Sequence, residues 1–429
     1  MMKAGWWDVS ATRLASVSWR KAVMLACLVG LVLATNTRAQ EWTGWRGPNR
    51  DGIVQVAGPA TWPETLQARW SVPVGEGYAN PLFSNGRIFQ FARQGNDEVA
   101  MAVDPTDGTI LWRQAYSSAQ FEPVDSAARH GKGPFSTPVY DDGMLYTFGA
   151  TGVLTAFDVT GGEIVWQHDS AGDFGSPWVM FGNAMSPIVS DGLVVASIGT
   201  NDDGAIAAYD AKTGAERWIW RGDGPAYASP VVVELDGERQ VVNFTERYLV
   251  GLSVESGDLL WQRAYPARAG MNIPTPMLLA GGDTILAGTA NGTYAVRVTQ
   301  SDNQWSTEEV WENGEITLRF STPVQKDNVL FGFTNRNRGA FFALDAETGE
   351  TLWMSDPRQG DNATLLLVGS SLVMLKNDGE LIIAEATGAA FQPVRRYQVA
   401  DSATYGHPLL LPNGIVVKDS TTLSLLSWE

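Results

Sequence analysis

Apolar and polar positions alternate along this chain in short runs, and the runs end in one recurring order. An apolar pair leads to an Asp, then a short polar turn, a Gly, and a Trp four residues further on. Its fullest copy has Ala343 and Leu344 before Asp345, Gly349 in the turn and Trp353 beyond it. Others fall at Asp104/Gly108/Trp112, Asp158/Gly162/Trp166 and Asp210/Gly214/Trp218, and a fifth, Gly257/Trp261, has Ser253 in place of the Asp. Alternation before the Asp predicts a strand, and the Asp carboxylate suits hydrogen bonds from the amides of its own turn. Gly supplies the positive φ of a tight hairpin, so the Trp lies on the returning strand. A small sheet of this kind cannot bury both faces alone, so like sheets must stack, with Trp as the wedge between neighbours.

A second register gives the number of units. Asn80-Pro81, Thr137-Pro138, Ser186-Pro187, Ser229-Pro230, Thr275-Pro276, Thr322-Pro323 and His407-Pro408 each precede apolar residues, and Thr364-Leu365 fills the remaining slot without a proline. These eight steps recur at roughly 40 to 60 residues, the length of a four-stranded blade with its connections. Trp70, Trp112, Trp166, Trp218, Trp261, Trp311, Trp353 and Tyr397 form the outer-strand aromatic series. That series also has eight members but begins before the first step. The expected fold is therefore all-β: an eight-bladed β-propeller of four-stranded antiparallel sheets. An N-terminal strand, Leu66 to Val74, is expected to pair with the C-terminal blade and close the ring, leaving no open sheet edge. A monomer is expected.

The first residues stand apart from this pattern. Lys3, Arg13, Arg20 and Lys21 precede an apolar run from Ala22 to Ala34, and Thr37-Arg38-Ala39 presents small residues where a signal peptidase reads. Residues 1–39 are thus expected to be a signal peptide, 40–65 an N-terminal extension and 66–429 the propeller. The protein is expected to be secreted, in the periplasm, with no transmembrane segment in the mature chain. Cys27 lies inside the apolar run, with too few apolar residues before it for a lipid-attachment site. As the only cysteine, its loss leaves neither a thiolate metal site nor a cysteine nucleophile. A net charge of −17 makes nucleic acid a poor partner.

The hairpin motifs, and an opening stretch Trp42-Thr43-Gly44-Trp45-Arg46-Gly47-Pro48-Asn49-Arg50-Asp51-Gly52, resemble the pyrroloquinoline-quinone-type β-propeller repeat family. Its members include quinoprotein dehydrogenases and the propeller lipoprotein of the bacterial outer-membrane β-barrel assembly machinery. The resemblance runs from about Glu41 to the C-terminus and implies the fold rather than an activity. Two roles follow. One is a non-catalytic scaffold that binds another envelope protein, similar in role to that assembly lipoprotein. The alternative is a dehydrogenase that uses pyrroloquinoline quinone and Ca²⁺ to oxidise an alcohol or sugar hydroxyl. A small molecule carried in the channel is a further possibility.

Candidate site residues come from the connections. Most run about a dozen residues from an outer-strand aromatic to the next polar-Pro step, but those after Trp112 and Trp166 are about twice as long. Both would lie on one face, over adjacent blades, where loops on a rigid scaffold carry function. The first holds Phe121, Glu122, Asp125, Arg129, His130 and Lys132. The second holds Asp169, Asp173, Phe174, Trp178 and Phe181. Tyr78, Asn183, Tyr227, Asn272, Arg319, Asn362, Tyr405 and His407 sit near innermost-strand starts and are expected at the same mouth. Of all these, Arg129, His130, Asp173, Trp178, Asn183, Tyr227, Arg319 and Tyr405 are the ligand or partner candidates. No stretch matches the dehydrogenases' calcium or catalytic motifs, and the three histidines have no paired metal-ligand spacing. No catalytic or metal-binding residue is assigned.

Overall fold

The computed structural model describes residues 40–429 apart from 57, 119–121, 126, 175–179, 201 and 266–270. The expected signal peptide, Phe121 and Trp178 lie outside the described residues. From Ala39 to Glu429 the chain is one compact unit. It forms eight antiparallel sheets of four strands, one of which gains a fifth. Seven blades use four consecutive strands each. The first is Leu82–Ser84, Arg87–Gln94, Asp97–Val103 and Ile110–Ser117. The last takes Leu409–Leu411, Gly414–Lys418 and Thr422–Ser427 from the C-terminus and its outermost strand, Gln67–Pro73, from near the start. There Gln67 faces Ser427 and Pro73 faces Thr422, which is the closure expected from the sequence.

The hairpin motif acts between blades. Asp104, Asp158, Asp210 and Asp345 accept hydrogen bonds from amides two residues ahead, at 2.7 to 3.1 Å, fixing each turn. Just before each outer-strand Trp the register slips by one residue, as between Ile164 and Trp166. Such a bulge re-aims the side chains that follow it. The bulged residues are left outside, so Leu111, Val165, Leu352 and Val394 account for several of the exposed large hydrophobics. The Trp lands on the next blade's turn. Trp112 Nε1 donates to Val159 O at 2.8 Å, and Trp166, Trp218, Trp311 and Trp353 do the same one blade on. Gly162 has φ +87°, and a Cβ there would stand 2.5 Å from the Trp112 ring.

Two blades depart from the rule. Trp261 donates instead to Gln240 Oε1 of its own sheet, because the next sheet carries a long hairpin, Thr293–Ser301 and Gln304–Asn313, without the Asp-to-Gly turn. In the seventh blade the bulge places Arg395, not Tyr397, at the Trp position. No Asp-to-Gly turn follows, since the eighth blade's outer strands come from the two chain ends. Arg395 and Tyr397 instead both reach the backbone of the N-terminal segment, at Pro63 O.

The polar-Pro steps lie around the channel and join neighbouring blades. The backbone N–H of Asn80 donates to Thr137 Oγ1 (3.1 Å), Thr137 to Ser186 Oγ (2.9 Å), Ser186 to Ser229 Oγ (2.9 Å), Thr275 to Thr322 Oγ1 (3.0 Å) and His407 to Asn80 Oδ1 (2.9 Å). At these five junctions a short polar side chain thus accepts the N–H of the step before it, and the proline adds no donor of its own.

The residues before the first propeller strand plug this channel. Trp42 pairs with Phe83, Thr43 O accepts the Tyr140 N–H, and Ile53–Val54 adds a parallel fifth strand along Leu367 and Val368. Between them two buried arginines reach different blades. Arg46 donates to Thr322 O at 2.8 Å and also to Pro323 O, Asp51 O and Arg50 O. Arg50 donates to Pro230 O at 2.7 Å and also to Ser186 O and Pro187 O. Burial lowers them to about 10 and about 9, so both remain charged at neutral pH, held by carbonyl oxygens rather than by carboxylates. Trp45 Nε1 donates to Thr275 Oγ1 at 2.9 Å, and its ring meets His407 edge-on at 4.8 Å.

Truncating the half-buried Trp112 to Ala should cost about 2–4 kcal/mol in chemical denaturation, somewhat less than for a fully buried Trp, and Gly162→Ala about 1–3 kcal/mol from backbone strain alone. The double variant should cost less than the sum by at least about 0.5 kcal/mol, because the two groups touch. Arg50→Lys should cost about 1–3 kcal/mol, since a compact ammonium cannot span the carbonyls the fork reaches. Hydrogen exchange should then rise first in Ile188–Ser190 and Val231–Leu235, the innermost strands beside those carbonyls.

Candidate functional site

Above the plug, towards the two long connections, the channel opens into a cavity of about 170 Å³. Trp45 closes it below. The first connection contributes Arg129, His130 and Phe135, the second Phe181, and the innermost-strand starts Tyr78, Tyr227, Phe320 and Tyr405. Five of these rings form a circuit. Tyr78 meets Phe135 (6.1 Å between centroids), Phe135 meets Phe181 (6.2 Å), Phe181 meets His130 (5.3 Å), His130 meets Tyr405 (4.9 Å) and Tyr405 returns to Tyr78 (4.8 Å). Tyr227 joins through Phe181 at 5.6 Å, and its hydroxyl accepts the Phe181 N–H at 3.1 Å. Edge-to-face aromatic pairs hold each other's orientation, so the mouth of the cavity is built chiefly from mutually braced rings.

Charge is confined to the rim. Arg129 Nη1 lies 3.8 Å from Asp361 Oδ2, with both side chains 67% exposed. An ion pair so open to water contributes at most about 1 kcal/mol, and it leaves Asp361 available. Burial, and then Arg129, hold His130 below its ordinary value, so it is neutral at pH 7. Tyr78 and Tyr227 are pushed up to about 12, chiefly by burial, and stay protonated. His407, beneath the cavity, is well below its ordinary value because of burial and the nearby Arg46. Asn80 and Trp45 hold it in place, a structural position at the blade junction.

Of the candidates from sequence, Arg129, His130, Tyr227 and Tyr405 surround this one cavity, with Tyr78, Phe181 and Asn362. Asn183 is buried beside it, its N–H donating to Ala150 O at 2.9 Å. Arg319 is exposed and lies over the Phe320 ring at 5.1 Å; Phe320 rather than Arg319 lines the cavity. Asp173 sits exposed on the helical turn Ala171–Phe174. Asn272 ties down a loop through Thr245 O and Tyr265 O. Trp45, Phe135, Phe320 and Asp361 were not singled out by sequence reasoning. For Trp45 a signal existed: two Trp and two Arg lie among glycines with no strand period, which is an odd composition for a solvated extension.

A quinone held by calcium would need six to eight oxygen ligands around the ion. Asp361 is the only carboxylate among the described lining residues and already faces Arg129. Among the described residues no three His, Cys, Asp or Glu side chains cluster as a metal site. At about 170 Å³ the cavity also falls below the range of roughly 300–1,000 Å³ typical of cofactor pockets. The residues present do not fit that group.

Comparison with known proteins agrees with the architecture. The chain is 24% identical over 361 residues to the outer membrane protein assembly factor BamB of Burkholderia pseudomallei, covering 82% of this chain and 85% of that protein. It is 23% identical over 380 residues to the protein of the same name from Shewanella oneidensis, covering 82% and 86%. Among solved structures, BamB from Moraxella catarrhalis superposes with a TM-score of 0.60 at 14% identity, over 85% of this chain and all of that one. A europium-containing methanol dehydrogenase superposes with a TM-score of 0.63 at 12% identity, over 90% and 91%. At such identities the superpositions speak for the shared propeller alone. The family described as outer membrane protein assembly factor BamB matches residues 95–355, well over half of the chain, and the chain belongs to that family.

Proposed function

We propose that this protein is a non-catalytic scaffold of the cell envelope, a monomer that docks another protein on the face of its two long connections. One observation carries this reading. Both long connections meet over adjacent blades around a braced aromatic mouth, on a ring whose channel is plugged from the other side. Rigid aromatic residues with charged neighbours are the composition of binding hot spots. A role in assembling outer membrane proteins, the one in its relatives' name, is in keeping with a propeller that lacks a calcium or metal donor set among its described residues. Among the described residues no helix is long and apolar enough to cross a membrane.

The docking face can be tested with a photo-crosslinking amino acid placed at Glu122, Arg129 or Asp173, and for comparison at Glu347 and Thr160 in the hairpins of the opposite face; all five are exposed. In envelope extracts the first three positions should yield a common protein adduct and the last two none. The same adduct from Glu347, no adduct from any loop position, or saturable Ca²⁺-dependent binding of pyrroloquinoline quinone would overturn the proposal. Secretion rests on the leader, residues 1–39. Sequencing the N-terminus of the protein from the envelope fraction should read from Gln40, and a start before the apolar run would refute cleavage.

A further inference from the structure

The channel cavity is too small for a multi-ring cofactor, yet it is surrounded by aromatic rings. Engineered cavities of about 150 Å³ hold a benzene-sized guest, and this one measures about 170 Å³. Tyr78, Phe135, Phe181 and Tyr405 come from four different blade junctions, and Tyr227 and Trp45 add a far wall and a floor. Consecutive rings mostly meet at steep angles, 84° for His130 and Phe181, 79° for Phe135 and Phe181 and 77° for Tyr78 and Tyr405. In each such pair the edge of one ring rests on a face of its neighbour, so a ring so covered has its other face for a guest. Ring faces carry the negative end of the aromatic quadrupole and attract an organic cation.

The charges around the cavity are mixed: Arg129 at the rim and the charged Arg46 and Arg50 below oppose a cation, and Asp361 at the rim attracts one. Asp361 stands at the rim with only a long, exposed contact to Arg129. Arg46 and Arg50 lie under the Trp45 floor, and their donors are taken by backbone carbonyls of the plug and the innermost strands. The whole chain carries a net charge of −17, a field that gathers cations and repels anions.

We infer that this cavity is an aromatic cage for a small organic cation bearing a trimethylammonium group, held by the rings of Tyr78, Phe181, Tyr227 and Tyr405, with Asp361 as its counter-charge. The positive head enters from the face of the long connections and rests above Trp45, and Asp361 remains at the opening. Arg129 works against the ligand, both as a like charge and as a competitor for Asp361.

Three probes of one shape test this: choline, the neutral 3,3-dimethylbutan-1-ol and the anionic 3,3-dimethylbutanoate, titrated into the purified protein by calorimetry and saturation-transfer NMR. Choline should bind at least about tenfold tighter than the alcohol, since several cation–π contacts act together, and the carboxylate should be weakest. Asp361→Asn should weaken choline several-fold and Arg129→Gln should strengthen it, with the alcohol unchanged in both. Both positions are exposed, so neither change threatens folding. Tyr405→Leu, with near-ultraviolet dichroism as the folding check, should lower choline affinity more than that of the alcohol. Equal or tighter binding of the alcohol would reduce the site to an apolar hollow. Tightest binding of the carboxylate, or no saturation by choline into the millimolar range, a free energy of only about 4 kcal/mol, would overturn the inference outright. Loss of protein adducts at the loop positions would leave these outcomes unaffected, so cage and docking face stand or fall separately.

Discussion

The structure depends on satisfying the polar backbone around the propeller axis. Eight innermost strands converge there, and their first peptide groups face the axis. Two devices meet the demand. Short polar side chains accept N–H groups from one blade to the next, as from Thr137 to Ser186 and from Ser186 to Ser229, and two guanidinium groups donate to carbonyls of different blades. An unpaired buried polar group costs about 1–3 kcal/mol, and the plug spares the ring that cost at Thr322, Pro323, Ser186, Pro187 and Pro230. The segment that looks from sequence like an extension is the part that fills the axis.

Farther out, the Trp wedge and its receiving turn convert a local motif into an order of assembly. Each wedge binds the next blade along the chain, so packing proceeds by neighbours, as in other repeat architectures. Where the receiving turn is missing the contact is replaced rather than left empty: Trp261 turns to Gln240, and Arg395 takes the place of a Trp beside Pro63. Both exceptions border something individual to this chain, the long hairpin of the fifth blade in one case and the junction of the two termini in the other.

The scaffold is regular; what sits on it is not. Two lengthened connections bring Arg129, His130, Phe135 and Phe181 over residues that every blade supplies at its innermost-strand start. Trp45 rises from below to set the depth of the cavity. The outcome is an aromatic space between the plug and the long connections, which is why the proposed docking face and the inferred ligand cavity lie together.

How much of this could be read in advance follows from the range of each interaction. The hairpins, the polar-Pro steps, the count of eight and the closing strand at Trp70 were legible because each is a local pattern of turn chemistry and alternation, repeated often enough to be checked against itself. Arg129, His130, Tyr227 and Tyr405 could be guessed as neighbours because the blade count fixes where connections emerge. Arg46, Arg50 and Trp45 could not be placed, since their partners lie up to 277 residues away and share no spacing with them. Nor could Arg395 be told from Tyr397, because a one-residue bulge decides which side chain faces the neighbouring sheet. The sequence by itself determined the repeating unit and how many units there are. Only the tertiary structure decided what fills the axis and what lines the cavity above it, because those contacts are made across the ring, where separation along the chain carries no information.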